Sequence, residues 1–272
     1  MEIKLLTYNI HGLPWTRTDT EAIAHWLPTT GADIFCFQEV FTEHARKILT
    51  DRLAVDGFQT VVPRDDGVTF FSSGLLFAFR TSIYELVADC FQPFLDIHTI
   101  EWTANKGFHC VTLQHRHSRL NIILANTHTL SDNELGWVCG YKYFAKLRKK
   151  QFDQIVDYFR TARAPVLSAG DMNCEISPHP HLRFLHPITG NLLHKSTFFS
   201  TGEDLDHVGW LPLQWAPPGC SFCDVVRRGP RLLLCKVFQK PWSDHAPVYC
   251  AVRIPEIATT PMSVLKEIAT HE

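Results

Sequence analysis

Short runs of apolar residues separated by polar loops recur along the 272-residue chain. Such runs are typical of β-strands when turn-forming residues flank them, and the scarcity of polar positions within them is typical of strands covered on both faces. The pattern predicts strands at Ile3–Tyr8, Ile34–Gln38, Gly74–Phe79, Phe108–Leu113, Leu120–Ala125, Val166–Ala169, Leu232–Phe238 and Val248–Ile254.

Helical periodicity is weaker and appears in fewer segments. A short helix is predicted over Glu21–Leu27, with Asp19 or Thr20 as its N-cap. A second helix is predicted to run from a Thr42 cap to Leu53.

The longest predicted helix spans about residues 141–160 and has two distinct faces. One face carries an apolar stripe that we expect to pack on a sheet, and another carries four lysines. The lysine face has two interpretations: a solvated helix surface, or a contact with phosphates or an anionic surface. The stripe consists of Phe144, Leu147, Gln151, Ile155 and Phe159, and the lysines are Lys142, Lys146, Lys149 and Lys150.

Composition limits the class of protein. A hydrophobic fraction of 45% supplies enough apolar surface for a full core and excludes disorder for most of the chain. No linker rich in Pro, Gly or Ser interrupts the pattern of strands and helices. We therefore predict a single domain at residues 1–255, followed by a polar C-terminal tail at 256–272.

Charge and the N-terminal residues narrow the expected partners and location. The formal charge of -2 provides no global basic field for holding a long polyanion, although a local cleft can still be charged. The N-terminus lacks the basic-then-apolar order of a signal peptide, and no apolar run has the length of a membrane span. We expect a cytoplasmic or peripheral membrane protein without a transmembrane segment, and the oligomeric state stays open.

Candidate chemistry is concentrated where the predicted strands end. The chain contains 15 histidines, a number that suggests metal or acid–base chemistry without locating it. Each of five segments places an acid, an amide or an imidazole at the end of an apolar strand, which is where a sheet assembles a site. These segments are Thr7–Gly12, Phe37–Phe41, Asn126–Thr129, Ser168–Asn173 and Trp242–Val248.

These residue types suit metal-assisted attack of water on phosphorus. Asn9 and Glu39 offer hard oxygen ligands suited to Mg²⁺, with Mn²⁺ as the alternative ion, and a divalent ion neutralises charge that builds on phosphoryl oxygens. Asp171 and Asn173 lie two residues apart, so in extended backbone both project to the same side. One of them can orient a water nucleophile while the other donates to a phosphoryl oxygen.

Two histidines are candidates for moving protons. His245 is a candidate general base, held and made more basic by a carboxylate. His128 is a candidate donor to a non-bridging oxygen, provided that it is protonated. His11 is left outside the predicted set, and His207, next to Asp206, is expected to be structural.

As an ordered set, these motifs resemble the endonuclease/exonuclease/phosphatase superfamily, the deoxyribonuclease I-like fold, over about residues 3–253. The N-terminal Asn and the Gln-Glu pair of that family match Asn9 and Gln38-Glu39, and its Thr-His pair matches Thr127-His128. Its Gly-Asp-x-Asn motif, its late Asp and its terminal Ser-Asp-His match Gly170–Asn173, Asp206 and Ser243–His245.

The resemblance implies a fold and a site. The fold is an α+β, four-layer α/β sandwich of two packed, mostly antiparallel β-sheets flanked by helices. The site is Mg²⁺-dependent and lies at one end of the sandwich, with Asp171 activating or orienting the attacking water. His245 acts there with an Asp, for which Asp206 and Asp244 are both candidates.

Features outside the catalytic set look most like the neutral sphingomyelinases. Lys106 stands in a Lys-Gly element that opens a strand, and the segment Phe238–Trp242 precedes Ser-Asp-His where bacterial members carry an aromatic hairpin. Ser72 and Ser73 stand near a position that is acidic in those members, so a carboxylate role is in doubt there. We expect a phosphodiesterase that releases phosphocholine from a sphingolipid at a membrane surface, with Lys106 and Trp242 contacting substrate.

Other functions remain open at this point. The lysine face of the long helix would suit a nuclease that tracks a nucleic-acid backbone. An inositol-phosphate phosphatase requires several basic residues near the site, for which Lys106 and Arg148 are candidates. A binding scaffold without chemistry is opposed by the intact catalytic set, and ordinary packing is the alternative for Phe238 and Trp242.

Overall fold

The computed structural model describes residues 1–64, 72–96, 103–132, 141–162, 164–175, 177–185, 205–211, 231–238, 240 and 242–254. The predicted tail at 256–272 lies outside these residues, as do residues 239 and 241 of the segment Phe238–Trp242. None of the helices in the described ranges is long and apolar enough to cross a membrane.

The described residues form two six-stranded sheets. In spatial order, the first sheet contains Arg231–Val237 (β11), Val248–Arg253 (β12), Glu2–Asn9 (β1), Ile34–Gln38 (β2), Leu76–Arg80 (β4) and Phe58–Val61 (β3). The second contains Tyr84–Pro93 (β5), Gly107–His115 (β6), Asn121–His128 (β7), Val166–Asp171 (β8), Asp206–Leu211 (β10) and Arg183–Phe184 (β9).

Each sheet has one parallel pair at its centre, and the remaining pairs are antiparallel. β1 is parallel to β2, and β7 is parallel to β8. A helix lies between the two strands of each pair in the chain: Thr20–Trp26 (α1) and Tyr141–Tyr158 (α3). Because parallel strands end at the same edge, Asn9 lies opposite Gln38, and His128 lies opposite Asp171.

Three apolar clusters arrange the sheets and helices in four layers. Ile3 and Val252 of the first sheet pack against Val111 and Leu124 of the second. α1 and the helix Glu43–Val55 (α2) cover the outer face of the first sheet, and α3 covers the outer face of the second. The sandwich implied by the family resemblance is therefore confirmed.

A buried polar network joins the two sheets next to the strand ends. Gln38 Nε2 donates to Asn126 Oδ1 over 2.7 Å, and Asn126 Nδ2 donates to the carbonyls of Phe37 and Leu76. Both amide side chains are fully buried. Since an unpaired buried amide is strongly disfavoured, this network fixes the end of β2 relative to β7.

Most predicted elements are present, and their ends agree to within three residues. The predicted caps are also present, because Asp19 accepts from the Ala22 amide and Thr42 from the Ala45 amide. The apolar stripe of α3 is buried, including its polar member Gln151. The sequence pattern missed the strands β3, β5, β9 and β10.

Candidate active site

The ends of β1, β2 and β8 meet through one amide. Asn9 Nδ2 donates to Glu39 Oε1 over 2.9 Å and to Asp171 Oδ2 over 3.0 Å. Asn9 and Asp171 are buried, and Glu39 is largely buried. A single side chain therefore connects a carboxylate of the first sheet with a carboxylate of the second.

The backbone is unusual where these strands end. His11, Glu39 and Asn173 have left-handed φ angles of 50°, 56° and 47°, and only Arg119 shares this feature among the described non-glycine residues. Side chains make this conformation unfavourable, so the surrounding contacts must hold it. The chain therefore turns sharply at or just after the ends of these strands.

Gly170 permits the close approach of β8 to β7. Its φ is 147°, and a Cβ atom there would lie 1.9 Å from the Thr127 carbonyl oxygen. Because that oxygen belongs to the backbone, no side-chain rotation relieves the clash. Glycine at this position allows Asp171 to lie beside His128.

His245 lies between two carboxylates. Its Nδ1 is 2.8 Å from Asp206 Oδ2, and its Nε2 is 3.6 Å from Asp171 Oδ2. The contact with Asp206 places a proton on Nδ1, so Nε2 is the atom that exchanges protons on the Asp171 side. Burial alone would lower the pKa of His245, but the charges of Asp206 and Asp171 outweigh it and raise this pKa to about 10.

His128 is neutral in this environment. Its Nε2 lies 3.6 Å from Asp171 Oδ2 and 3.9 Å from Glu39 Oε1. Burial lowers the pKa of His128 to about 3, and its Nδ1 has no hydrogen-bond partner among the described residues. Two carboxylates facing Nε2 favour the tautomer with hydrogen on that nitrogen. His128 can therefore donate without the protonation that the sequence interpretation required.

Asp244 pairs with His11 rather than with its neighbour His245. Asp244 Oδ1 is 3.0 Å from His11 Nδ1, and this hydrogen bond raises the pKa of His11. The His11 carbonyl accepts from the hydroxyls of Thr16 and Thr18, both over 2.6 Å. His11 is thus a rigid, partly exposed imidazole beside the site, and sequence reasoning left it out although it lies two residues from Asn9.

Lys106 and Asn173 share an acceptor. Lys106 Nζ donates to the Thr129 carbonyl over 2.9 Å, and Asn173 Nδ2 donates to the same oxygen over 3.0 Å. Both side chains are buried, and the Lys106 charge acts on His128 and Glu39. Lys106 therefore lies beside the site, whereas its role toward substrate stays a prediction.

Trp242 packs against α1. Its ring centroid is 5.8 Å from that of Trp26, and Lys240 Nζ lies 5.0 Å from both rings. Trp26 also contacts Phe238 at 5.1 Å. This packing favours a structural role for Trp242 over the predicted contact with substrate.

His207 takes no part in the cluster. Its Nε2 lies 2.9 Å from the Cys174 carbonyl oxygen, and its ring stacks on Phe184 at 4.1 Å. This arrangement agrees with the structural role expected from the sequence.

The donor atoms fit a hard divalent cation. Ligand atoms of Glu39, His128 and Asp171 all lie within 4.8 Å of one another. Burial raises the pKa of Glu39, and a bound cation would offset the cost of charging this carboxylate. Asn9 Oδ1 accepts the His11 amide hydrogen over 3.0 Å and has a second lone pair for a cation.

Comparisons with known proteins place the fold and the family. No curated protein sequence matches the chain. Beta toxin 275-280 from Staphylococcus aureus superposes with a TM-score of 0.70 at 15% identity, covering 91% of this chain and 99% of that one. D. rerio TDP2 complexed with single strand DNA product superposes with a TM-score of 0.66 at 15% identity, covering 93% of this chain and 99% of that one. ANGEL2, a 2′,3′-cyclic phosphatase, superposes with a TM-score of 0.66 at 14% identity, covering 93% of this chain and 96% of that one.

At these identities the solved structures show the fold alone, and the family is shown by sequence. A sequence model of the Endonuclease/Exonuclease/phosphatase family matches residues 6–245, a span that contains every side chain of the cluster. The chain therefore belongs to the endonuclease/exonuclease/phosphatase family and is a hydrolase of phosphoester bonds.

Proposed function

We propose that this chain is a Mg²⁺-dependent phosphodiesterase that acts on a phosphocholine-bearing sphingolipid at a membrane surface. The observation that carries the chemistry is the Asp206–His245–Asp171 series next to the Asn9 bridge between Glu39 and Asp171. These groups converge from both sheets, and Asn9, Asp171 and His245 are buried there.

The chain's own residues provide orientation and proton transfer. Asp171 accepts hydrogen from the attacking water and aims its oxygen at phosphorus. We assign His245, fixed by Asp206, as the general base at Nε2; its pKa of about 10 in the metal-free protein has to fall on cation binding for Nε2 to accept a proton. His128 donates from its Nε2 to a phosphoryl oxygen. Glu39 and Asn9 would hold a divalent cation, whose positive charge would neutralise the phosphoryl oxygens and lower the pKa of His245.

Basic residues near the site support the nuclease and inositol-phosphate alternatives poorly. On the lysine face of α3, Lys149 pairs with Asp153 and Lys150 pairs with Asp96, each over 2.8 Å. Arg148 is buried and makes two hydrogen bonds to the Asp132 carboxylate. Arg148 and two of the four lysines of this face are therefore paired with carboxylates of the protein itself.

Exposed apolar side chains support a lipid substrate. Trp15 follows the end of β1 and is 69% exposed, and Leu95 follows the end of β5 and is 86% exposed. Both strands end on the side of the sandwich that carries the site, since Lys106, just before β6, reaches the Thr129 carbonyl. Exposed apolar side chains beside a site would suit contact with a bilayer interface.

One substrate panel tests the proposal. Sphingomyelin vesicles, plasmid DNA, poly(A) and a phosphoinositide are each incubated with the protein, with Mg²⁺ or with EDTA. We expect Mg²⁺-dependent release of phosphocholine from the vesicles and no release in EDTA. Cleavage of DNA, poly(A) or phosphoinositide alone would replace the lipid assignment, and turnover in EDTA would contradict the metal dependence.

A pair of variants tests the membrane contact separately. Trp15→Ala should reduce turnover on vesicles several-fold and leave a soluble chromogenic phosphodiester unaffected. Val55→Ala is the matched control, because Val55 is 75% exposed beside the start of β3, at the opposite end of the sandwich. Equal losses on both substrates, or equal effects of both variants, would show that Trp15 makes no specific membrane contact.

A further inference from the structure

Two cysteines face each other next to the segment that carries His245. Cys235 of β11 and Cys250 of β12 are register partners in the antiparallel ladder. Cys250 Sγ lies 3.3 Å from Cys235 Sγ, and both residues are thiols in the structure. Cys250 is fully buried in the core between the sheets, and Cys235 is partly exposed at its edge.

The ladder places these thiols correctly for a disulfide. Directly opposed residues in antiparallel strands have Cα atoms about 4.5 or about 5.5 Å apart, and both distances fall within the range of protein disulfides. The sulfur atoms have to close by about 1.3 Å to reach bonding distance. Side-chain rotation supplies such a movement, so the backbone of either strand need not shift.

The pair brackets part of the site. The segment 236–249 connects the two cysteines and contains Ser243, Asp244 and His245. Ser243 Oγ donates to the Asn9 carbonyl over 2.8 Å, which ties this segment to the end of β1. A covalent bond between Cys235 and Cys250 would fix both ends of the segment that presents His245.

We propose that Cys235 and Cys250 form a modification site that an oxidant of the peroxide class converts to a disulfide. Cys235 sulfur, the more exposed, attacks one peroxide oxygen, the O–O bond breaks, and sulfenic acid and water form. Cys250 sulfur then attacks Cys235 sulfur, the S–O bond breaks, and the Cys250 proton leaves with hydroxide as water. The two thiols together lose two electrons, and hydrogen peroxide is reduced to two water molecules.

The order of the two steps follows from the surroundings of each sulfur. The hydrogen bond to Cys235 and burial both raise the pKa of Cys250. Cys250 thus carries little thiolate, so it does not attack the peroxide first and reacts only once the adjacent Cys235 has been oxidised. The bond joins adjacent strands of one sheet, so the core accommodates it without repacking.

A second opposed pair on the other sheet has to be separated in the experiment. Cys90 of β5 and Cys110 of β6 are also register partners, and the Tyr158 hydroxyl lies 2.9 Å from Cys90 Sγ. The full chain with Cys90→Ser is therefore the parent protein, and the same chain with Cys235→Ser added is the matched control.

The experiment treats both proteins with hydrogen peroxide, blocks remaining thiols with iodoacetamide, and analyses digests by mass spectrometry without reduction. In the parent we expect a linked peptide that contains Cys235 and Cys250. Its mass is the sum of the two free peptides minus two hydrogen atoms, and it disappears after reduction with dithiothreitol. Closing a loop of this length should raise Tm by about 5–10 °C. Activity after heating should survive several-fold longer in the oxidised parent than in the reduced parent.

Three results would overturn the proposal. One is full alkylation of both cysteines after peroxide treatment, and another is a disulfide from either of them to a different cysteine. The third is an equal rise of Tm in the Cys235→Ser control. The peptide measurement needs no substrate, so it is decided independently of the proposed lipid activity.

Discussion

His245 should make the stability of the metal-free protein fall as pH rises. The imidazole lies 2.8 Å from Asp206 and 3.6 Å from Asp171, which raise its pKa from 6.5 to about 10. Between these values the folded protein binds a proton that the unfolded chain has lost, so stability decreases with pH. The contribution of His245 to the free energy of unfolding is fully present below pH 6.5 and is lost as pH rises through about 10.

The magnitude follows from the same two values. Each pH unit between the unfolded and folded pKa contributes about 1.4 kcal/mol, so the interval gives up to about 5 kcal/mol. His128 has the opposite sign: burial lowers its pKa from 6.5 to about 3, so the unfolded chain binds the extra proton in acid. Its contribution is lost as pH falls from 6.5 toward 3, and the two histidines together predict maximum stability near pH 6.5.

The assay compares wild type with His245→Gln in EDTA. Urea unfolding at about pH 6.5, 8 and 9.5 gives the free energy of unfolding of each protein. The wild-type advantage should shrink by several kcal/mol across this series, and the exposed control His44→Gln should retain the wild-type slope. An advantage that stays constant, or that grows with pH, would refute the placement of His245 between two charged carboxylates.

Two further predictions concern single residues. Asp206→Asn should lower turnover at least about tenfold more than Asp244→Asn, because Asp206 holds His245 while Asp244 holds His11; steady-state kinetics with circular dichroism as a folding check decides this. Gly170→Ala should lower the free energy of unfolding by more than about 2 kcal/mol, measured in urea, because its Cβ meets backbone. Gly31 also has a positive φ, but a Cβ atom there would meet no atom within 4 Å. Gly31→Ala should therefore lower the free energy of unfolding by only about 1 kcal/mol.

Buried strands were predictable because both of their faces are apolar. β2 was placed without error, since all five of its residues are buried and its run of apolar side chains stands out. β5 was missed because it is an edge strand in which Tyr84 is the only fully buried position and the rest are partly or wholly exposed. β10 was missed because it begins with Asp206 and His207 and is interrupted by Gly209.

Which residues lie together at the strand ends was easier to predict than how they pair. Polar residues at strand ends identified Asn9, Glu39 and Asp171, since parallel pairs bring such ends to one edge. Adjacency in the chain gave no guide to pairing: Asp244 and His245 point to different partners, which are 3.0 and 2.8 Å away. Pairings of this kind depend on the turn after each strand, and that geometry has no periodic signal in sequence.

The neutral state of His128 is a further property that only the fold determines. The residue type suggested an imidazolium, yet burial between two sheets opposes the charge more than nearby Asp171 favours it. Lys106, on a separate strand entry, adds to the same effect. The protonation state is set by groups from three elements, so no local motif encodes it.

The two sheets share one plan, and the site requires both. Each sheet has a central pair of parallel strands, and a helix connects these two strands along the chain. Antiparallel strands extend the sheet on both sides of the pair. The first pair contributes Asn9 and Glu39, and the second contributes His128 and Asp171. The Asn9 amide, the Gln38–Asn126 bond and the His245–Asp206 contact link the two sheets at the site. Sliding one sheet over the other would separate the carboxylates before it exposed the apolar core, so activity should respond to inter-sheet perturbation earlier than global stability does.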